Sequence, residues 1–379
     1  MTGADVRRLA AACGFELAGV ARAAPASDRR HYHAWVDAGF AGEMRYLSDR
    51  RAAMRDDPHA LLPRARSMIC VGKLYNAPQP YSTQFDDAEL AWISRYAWGE
   101  DYHRVLRQGL RRLEANLREL AGAPFDAKIC VDTAPLAERT YARLAGLGWI
   151  GKNTCLINQP RGSWFFLGEL LVSLEIEPDA PPPDRCGTCR RCIDACPTQA
   201  IVPFGARYAV DSRLCISYLT IELRGGIAED RRAGNGGHVF GCDICQDVCP
   251  WNARAPVTQD AAFHPRQVAP PLDRLAALSE TEFRELFGGT PVSRARYAGF
   301  LRNVAVAMGN RGLPQFRVAL EKLTASEDPM VAEHARWALG KLRPSAAIPP
   351  APSAGQAFAA IGEPMAPPRG INPYSDRIG

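Results

Sequence analysis

The residues in this sequence most suited to chemistry are four cysteines in a short run that ends in a proline. Cys186, Cys189, Cys192 and Cys196 have the spacing C-x2-C-x2-C-x3-C, and Pro197 follows directly. Bacterial ferredoxins use this spacing to hold a cubane 4Fe-4S cluster, because three thiolates on one tight loop can occupy three corners of the cube. The fourth cysteine of such a run is directed towards a second cluster. The spacing therefore predicts iron–sulfur chemistry with two clusters.

A second group of four cysteines supplies the remaining ligands. Cys215, Cys242, Cys245 and Cys249 follow along the chain, and a proline again comes after the last of them. In two-cluster ferredoxins the last cysteine of each run crosses over to the other cluster. Applied here, this rule predicts two complete ligand sets: Cys186, Cys189, Cys192 and Cys249 for cluster one, and Cys196, Cys215, Cys242 and Cys245 for cluster two.

Zinc is the alternative metal for clustered cysteines. Structural zinc sites usually combine two C-x2-C knuckles, or one knuckle with two histidines, and the proline after the last cysteine has no role there. The spacing therefore favours iron and sulfur over zinc. The other four cysteines are scattered singly, and we interpret them as small buried apolar side chains rather than ligands. They are Cys13, Cys70, Cys130 and Cys155.

Length and composition indicate that the clusters serve a larger protein. The 379 residues are 47% hydrophobic and 23% charged, which is typical of a folded protein and excludes a wholly disordered chain. A pure ferredoxin would need little more than the cysteine-rich segment, so an enzyme is favoured over an electron carrier. The sequence has no Gly-x-Gly-x-x-Gly fingerprint and no P-loop, which leaves a Rossmann or nucleoside triphosphate site without support.

The N-terminal residues predict an amphipathic helix and not an export signal. Val6, Leu9, Ala10 and Cys13 fall on one helical face, and the apolar stretch is too short for a signal peptide. The sequence also lacks an apolar run of about 18 residues, which a membrane-spanning helix would require. We therefore expect a cytoplasmic protein without membrane contact, in which clustered thiols bind metal rather than form disulfides.

The elements that position the cysteines are predicted to form several domains. Short apolar strands are expected at 67–71, 128–131 and 164–172, and leucines at spacings of three and four predict a helix over 104–120. Three consecutive prolines after these elements predict a linker. We expect an α+β multidomain chain with an α/β layer domain over 1–177, a ferredoxin-like two-cluster domain over 178–254 and a helical domain over 255–342.

The C-terminal part is predicted to be helical and basic. Apolar residues recur at helical spacing in 301–308 and 331–342, which resembles a short stack of HEAT-like repeats. From Arg294 to Arg343 there are nine basic and four acidic residues. This excess indicates a polyanion such as RNA, with an ordinary solvated helix face as the alternative. Residues 343–379 contain eight prolines and predict a disordered tail.

Six blocks of this sequence resemble epoxyqueuosine reductases. As an ordered set they are far more specific than the ferredoxin run, which many proteins share. The blocks are Ile93–His103 (ISRYAWGEDYH), Val131–Arg139 (VDTAPLAER), Gly146–Asn153 (GLGWIGKN), Gly162–Glu169 (GSWFFLGE), Tyr218–Glu222 (YLTIE) and Phe240–Gln246 (FGCDICQ).

The resemblance implies an activity and its cofactors. The family reduces epoxyqueuosine to queuosine at the wobble position of tRNA anticodons, the last step of queuosine synthesis, with cobalamin and two 4Fe-4S clusters. It also implies a nitroreductase-like core in the first domain. The Asp-x-His-x-x-Gly motif, which supplies a cobalt ligand in other cobalamin proteins, does not occur here, and this is compatible with the family. We further expect a monomer and an electron donor of the flavodoxin or ferredoxin type.

Asp132 resembles the proton donor of the family. It follows an apolar strand, and α/β domains place function at strand ends that face a cleft. A carboxyl group close to a corrin face could lose enough solvent to stay protonated near neutral pH, so that it can protonate the leaving oxygen. The alternative is purely structural, with Asp132 or Thr133 capping a helix that starts near Pro135.

Other residues match family positions less specifically. Tyr102 and His103 are candidate substrate contacts, with surface residues at a helix start as the alternative, and Trp149 and Trp164 are expected in the core. Arg55 also fits an ordinary solvated face, and at the other positions backbone contacts could dominate. Besides Asp132, the predicted corrinoid contacts are Arg55, Asn153, Leu156, Ser217 and Asp243.

Three other functions compete with this interpretation. A reductive dehalogenase-like enzyme would share cobalamin and paired clusters, but such proteins usually carry a twin-arginine export signal and lack helical repeats. The Arg7-Arg8 pair of this chain lies in the predicted amphipathic helix, without a cleavage site. A plain electron-transfer adaptor leaves the large N-terminal segment unexplained. An RNA-binding scaffold with structural clusters would be favoured by a lack of turnover with bound cobalamin.

Overall fold

A four-stranded sheet lies at the centre of the N-terminal half of this computed structural model, which describes residues 1–344. The strands, in chain order, are β1 (Leu17–Arg22), β2 (Ser67–Leu74), β3 (Trp92–Ile93), β4 (Ala127–Cys130), β5 (Trp149–Ile150), β6 (Leu156–Ile157), β7 (Phe165–Val172), β8 (Ile201–Phe204), β9 (Arg207–Val210) and β10 (His238–Phe240). The central sheet has the order β1-β2-β7-β4, so the three predicted strands are confirmed as β2, β4 and β7.

Helices pack on both faces of the central sheet and complete the rest of the chain. They are α1 (Gly3–Ala12), α2 (Arg29–Asp37), α3 (Arg51–Met54), α4 (Tyr102–Ala121), α5 (Glu138–Leu144), α6 (Arg191–Asp194), α7 (Glu229–Arg232), α8 (Ile244–Asp247), α9 (Leu272–Ala276), α10 (Glu280–Phe287), α11 (Tyr297–Arg311), α12 (Arg317–Thr324) and α13 (Pro329–Lys341). The leucine pattern correctly predicted α4, whose Leu106, Leu110, Leu113 and Leu117 are buried.

The sheet is buried on both faces because different helices cover them. Side chains such as Ile69 and Leu170 face α1 and α4, whereas Met68 and Leu171 face α5. This position explains why β2 is buried at every residue and is mostly apolar, with Ser67 and Lys73 as its polar residues.

Strand pairing in the central sheet differs from what alternating strands and helices indicate. Every neighbouring pair is antiparallel, and β2 pairs with β7 although the two strands lie far apart in the sequence. The fold therefore mixes helices and strands, but its sheet is not the parallel one of a doubly wound domain. The rule that locates function at the ends of parallel strands consequently does not apply to Asp132.

The cysteine-rich segment has little regular structure. It contains the hairpin β8–β9, the four-residue helices α6, α7 and α8, the short strand β10 and a π-helical turn over Tyr218–Glu222. Helices α6 and α8 occupy equivalent places in the two cysteine groups, since α6 contains Cys192 and α8 contains Cys245, and they pack against each other. Short loops of this kind leave the thiols free to face a shared centre.

The C-terminal helices bury the faces that their periodicity predicted. Met308 on α11 and Ala335 on α13 are fully buried, and α13 packs against both α11 and α12. The same hydrophobic core includes Trp98 and Phe240 from earlier parts of the chain. Residues 1–343 consequently form one compact unit.

A buried arginine ties α11 to the cysteine-rich segment. Arg302 is 1% exposed, and its guanidinium donates to the carbonyl oxygens of Leu219 (2.6 Å), Leu223 (3.0 Å) and Gly225. Burial lowers the pKa of Arg302 to about 10, so the side chain still carries its charge at neutral pH. Arg302 belongs to the block predicted to contact a polyanion, but its guanidinium is buried and engaged with these carbonyl groups.

The structure describes the N-terminal helix but almost none of the C-terminal tail. The first helix is confirmed, with Val6, Ala10 and Cys13 buried and Leu9 partly buried. Within residues 1–344, no helix is both long and apolar enough to cross a membrane. The disordered tail predicted for 343–379 lies almost wholly outside the described residues.

Replacing Arg302 tests whether this residue stabilises the packing of α11 against the cysteine-rich segment. We expect Arg302→Ala to lower the free energy of unfolding by about 3 kcal/mol, because buried carbonyl groups lose a charged donor. The exposed Arg317→Ala on α12 is the control, and it should change the free energy by no more than about 0.5 kcal/mol. Urea denaturation of both proteins measures the difference, and equal stabilities would refute a structural role for Arg302.

Candidate active site and cluster ligands

Four cysteine side chains line one cavity in the cysteine-rich segment. Trp149 and Trp251 pack edge-to-face at 5.1 Å beside them. Lys152 Nζ donates to the carbonyl oxygens of Gly187 (2.7 Å) and Cys189 (2.8 Å), which holds the first cysteine loop in place. The four cysteines are those predicted for cluster one: Cys186, Cys189, Cys192 and Cys249.

The cysteines predicted for cluster two also lie together. Burial raises the pKa of the Cys242 thiol, and the nearby Cys215 and Cys196 raise it further. Burial likewise raises the pKa of Cys215, again with Cys196 as a neighbour. Crowded thiols become stable as thiolates only beside positive charge, which bound iron supplies. The second set, Cys196, Cys215, Cys242 and Cys245, therefore also fits a metal cluster.

The arrangement of the first set of thiols fits a multi-atom cluster. The four cysteines surround a shared cavity, as the corners of a cubane require. Of the scattered cysteines, Cys13, Cys70 and Cys130 are buried as expected, whereas Cys155 is half-buried beside Cys245.

Asp132 lies between β4 and α5 in an unusual backbone conformation. Its φ of 55° is in the left-handed region, which non-glycine residues rarely adopt. The backbone N–H donates to Glu138 Oε1 at 2.6 Å, and Oδ2 lies 3.2 Å from His103 Nε2. Helix α5 begins at Glu138 with Ala137 as its N-cap, so the alternative that Asp132 or Thr133 caps a helix is wrong.

Two contacts influence the charge state of Asp132. Burial alone would raise its pKa, but the hydrogen bond with His103 and the charge of Arg294, 3.6 Å away, lower the pKa below its usual value. The side chain is 46% exposed, so it is also less desolvated than a buried acid. These contacts favour the ionised carboxylate, and the protonated state predicted for Asp132 beside a corrin ring stays a prediction.

His103 is the titratable side chain that can donate a proton to Asp132, since its Nε2 lies 3.2 Å from Oδ2. Burial would lower the pKa of this imidazole, but its hydrogen bonds with Asp101 and Asp132 raise the pKa overall. Nδ1 lies 2.8 Å from Asp101 Oδ1, so a protonated ring can donate from both nitrogens. With its side chain only 13% exposed, His103 faces the site, and the alternative of a surface residue is wrong.

Several residues around Asp132 were not singled out by the sequence analysis. Arg294 had been counted only in the basic block, yet it donates to Tyr102 Oη at 3.0 Å and neutralises part of the charge on Asp132. Burial raises the pKa of Glu222, and the nearby Asp132 raises it further. The sequence did contain an indication for two of these residues, since Tyr96 and Glu222 lie in blocks that resemble the family. The additional site residues are Tyr46, Tyr96, Glu222 and Arg294.

Two predicted corrinoid contacts lie close to the remaining site residues. Arg55 donates to the carbonyl oxygens of Tyr46 (2.9 Å) and Arg51 (3.1 Å), so its guanidinium is partly engaged with backbone. Ser217 is half-buried, two residues after Cys215. Both therefore lie near other candidate site residues: Arg55 is beside Tyr46, and Ser217 is beside the second cysteine set.

The other three predicted corrinoid contacts are buried. Asp243 is 1% exposed, and its carboxylate accepts from Ser94 Oγ at 2.5 Å and from the backbone N–H of Arg95 at 2.7 Å. Asn153 donates to the Cys245 carbonyl oxygen at 3.3 Å. Leu156 packs into the core beside α5. The polar side chains of Asp243 and Asn153 are thus already engaged with protein atoms, which leaves mainly their backbone for a ligand.

A chain of contacts joins Asp132 to the second cysteine set. Glu138, which holds the Asp132 N–H, is followed by Arg139, and Arg139 donates to the Thr154 carbonyl oxygen at 2.6 Å. Thr154 adjoins Asn153, which donates to the backbone of Cys245. The candidate proton-transfer residue and the candidate cluster ligands are therefore held by one continuous set of contacts.

Comparisons with known proteins agree with this site. The family model "Epoxyqueuosine reductase QueG, DUF1730" matches residues 55–133, and the model "4Fe-4S double cluster binding domain" matches residues 185–252. An epoxyqueuosine reductase of Xanthomonas campestris pv. campestris is 40% identical over 344 residues, which cover 89% of this chain and 95% of that protein. This chain belongs to the epoxyqueuosine reductase family. It is an oxidoreductase that reduces epoxyqueuosine and binds two 4Fe-4S clusters.

Solved structures of epoxyqueuosine reductases share the fold. One of them, determined with an epoxyqueuosine-modified stem loop of tyrosine tRNA, has a TM-score of 0.81 and 28% identity, and the match covers 89% of each chain. Another, from Bacillus subtilis, has a TM-score of 0.71 and 26% identity, and the match covers 90% of this chain and 98% of that one. It was solved with an aspartate-bearing catalytic loop swung out of the active site. The reductive dehalogenase alternative is not favoured.

The division of the cysteines into two sets predicts how pairs of substitutions combine. Cys186→Ala with Cys249→Ala removes two ligands of one cluster, so about four of about eight irons should remain. Cys186→Ala with Cys196→Ala damages both clusters, so almost no iron should remain. Iron and sulfide analysis after anaerobic reconstitution measures this. Equal iron content in the two double variants would contradict the crossed assignment.

Proposed function

We propose that this epoxyqueuosine reductase acts on epoxyqueuosine at the wobble position of tRNA anticodons, with cobalamin bound between Asp132 and the second cysteine set. One observation carries the proposal, namely that contacts through Arg139 and Asn153 join Asp132 to Cys245. A reduction that releases oxygen as water needs both a proton-transfer group and an electron source. The relative solved with a modified tRNA stem loop supports RNA as the substrate.

The balance of the reaction sets what the residues must do. Removing the epoxide oxygen as water takes up two electrons and two protons and leaves a carbon–carbon double bond. Cobalamin, when bound, supplies a strongly reducing cobalt centre, and the clusters accept and pass on single electrons. The protein must therefore bring protons to the epoxide oxygen and keep that oxygen close to the reducing centre.

Asp132 and His103 are suited to proton delivery. Since Asp132 is partly exposed, it is the group that faces the substrate, while the more buried His103 lies behind it. One of the two protons passes from His103 Nε2 to Asp132 Oδ2 and from there to the departing oxygen, and the second comes from solvent, which reaches the exposed part of Asp132. Arg294 limits the charge that builds up when the proton leaves, because its guanidinium remains beside the carboxylate.

The residues predicted to hold the corrinoid fit mainly through their backbone. Asp243 and Asn153 use their side chains for contacts within the protein, so they would shape the pocket and present N–H and carbonyl groups to the ligand. Leu156 would supply apolar surface. Arg55 and Ser217 would provide polar contacts at the edge of the ring system.

The domain division and the finer fold names belong to the same proposal. We assign 1–177 to a nitroreductase-like cobalamin domain, 178–254 to a ferredoxin-like domain and 255–342 to a HEAT-like helical domain that contacts tRNA. Exposed basic side chains on the helical part support phosphate contacts. They are Arg296, Arg317, Lys322, Arg336, Lys341 and Arg343.

The first cysteine loop supports contact with an acidic electron carrier. Arg185, Arg190 and Arg191 are exposed around cluster one, and Lys152 packs against the same loop. Asp194 pairs with Arg190 and offsets part of this charge. A basic surface beside the cluster would attract a flavodoxin or ferredoxin, because opposite charges speed the encounter. We also propose that the enzyme acts as a monomer.

Removing the carboxylate of Asp132 tests the proposed proton transfer. We expect Asp132→Asn to lower kcat for an epoxyqueuosine-containing stem loop by about 10²- to 10⁴-fold, because an amide cannot pass a proton to the departing oxygen. Iron content and cobalamin absorbance should stay unchanged. Asp273→Asn, an exposed aspartate on α9, serves as the control. An Asp132→Asn enzyme that keeps more than a tenth of the activity would exclude Asp132 as the acid.

A further inference from the structure

Glu169 is a carboxylic acid in the middle of the central strand β7. It is 0% exposed, and its neighbours across the sheet are Cys70 on β2 and Cys130 on β4. Within the described part of the chain, no N–H or hydroxyl group donates to either of its oxygens. An ionised carboxylate in such surroundings is very unfavourable. The residue therefore needs a proton of its own or one that it shares.

Glu138 is the polar group that Glu169 contacts. The two carboxyl groups lie next to each other, with Glu138 at the first position of α5, which packs on this face of the sheet. Two carboxyl groups can form a hydrogen bond only when at least one carries a proton. Glu138 also accepts the backbone N–H of Asp132 at 2.6 Å. The pair thus joins the sheet interior to the loop that carries the proposed acid.

We propose that Glu138 and Glu169 share one proton as a carboxyl–carboxylate pair, and that this pair positions Asp132 through its backbone N–H. Glu138 and Glu169 are positioning residues, because neither is placed to touch the substrate. The functional half of this inference rests on the proposed role of Asp132. The shared proton does not, and it can be tested without measuring activity.

The charges around the pair explain why it keeps a proton. Burial raises the pKa of Glu169 well above its usual range, and the neighbouring Glu138 raises it further. Burial, together with the charge of Asp132, raises the pKa of Glu138 to about 7, and Arg139 on α5 opposes this only in part. Cys70 and Cys130, the other titratable groups facing the pair, are neutral thiols with raised pKa values.

Loss of the shared proton would disturb the Asp132 loop. Three carboxylates would then lie next to one another, with His103 and Arg294 beside Asp132 and Arg139 near Glu138 as the positive charges. The N–H contact with Glu138 and the Thr133 N–H contact with the Val131 carbonyl oxygen together hold Asp132 at its left-handed φ. The Bacillus subtilis relative, solved with its aspartate-bearing loop swung out, supports the view that such a loop has a second position.

The pH dependence of stability tests the shared proton directly. A carboxyl group whose pKa is raised by folding binds more protons in the folded than in the unfolded state, so its contribution to stability falls as pH rises from about 4.5. Glu169→Gln removes this effect, since its amide can donate to Glu138 without titrating. We expect the thermal midpoint of the variant holoprotein, relative to wild type, to rise by several degrees from about pH 5 to pH 8.

Matched variants keep the stability test decisive. Glu138→Gln should show the same relative rise, which covers the case in which Glu169→Gln does not fold. Glu175→Gln, an exposed glutamate just after β7, should follow wild type at every pH. A constant offset for both pair variants would mean that the pair carries no shared proton. A relative fall with rising pH would mean that Glu169 is ionised, and it would overturn the proposal.

The positioning role is tested by kinetics on the same proteins. Glu138→Ala removes the acceptor for the Asp132 N–H, and we expect kcat to fall about 10- to 100-fold with KM unchanged. Glu138→Gln keeps an acceptor oxygen and should restore most of the activity. Equal kcat values for the two variants would exclude positioning by Glu138. If Asp132→Asn were active while the stability result held, only the proposed role of Asp132 would fail.

Discussion

The hydrogen bond from the Asp132 backbone to Glu138 is the interaction on which the site depends most. It holds a non-glycine residue at a positive φ, and this directs the carboxylate towards His103 and Arg294. A second contact supports the same conformation, because the Thr133 N–H donates to the Val131 carbonyl oxygen at 2.6 Å across Asp132. In our proposal, the proton chemistry therefore depends on an acid behind the loop as well as on the residues in front of it.

Buried polar groups also explain why the segments of this chain form one unit. Asp243 joins the cysteine loop to Ser94, Asn153 joins the same loop to the turn after β5, and Arg302 joins α11 to the backbone after Cys215. If its partner segment moved away, each of these buried polar groups would lose its hydrogen bonds, which costs free energy. The cysteine loops are therefore fixed relative to Asp132, which a transfer of electrons and protons to one substrate requires.

Local patterns in the sequence predicted much of this structure. The cysteine spacing predicted two sets that the fold brings together, and apolar periodicity located β2, β7, α4 and the buried face of α11. Such features depend on neighbours within a few residues, so they can be recognised without knowing the fold. The family blocks added Asp132 and the corrinoid residues, whose roles remain predictions.

What the sequence could not provide depends on contacts between distant segments. Antiparallel pairing of β2 with β7, the approach of Arg294 to Asp132 and the contact of Glu138 with Glu169 leave no local pattern. The lowered pKa of Asp132 in this structure follows from two contacts with distant segments, His103 and Arg294, which burial alone does not predict. Glu169 did offer a signal, because it is a charged residue within an otherwise apolar strand.

The most direct test of this account is a complete turnover with defined components. The purified chain is reconstituted anaerobically with iron, sulfide and cobalamin, reduced chemically, and incubated with tRNA that contains epoxyqueuosine. Nucleoside mass spectrometry then follows the modified base. The account predicts a product lighter by one oxygen atom, which forms only when cobalamin and both clusters are present. Unchanged epoxyqueuosine in the presence of intact clusters and bound cobalamin would contradict it.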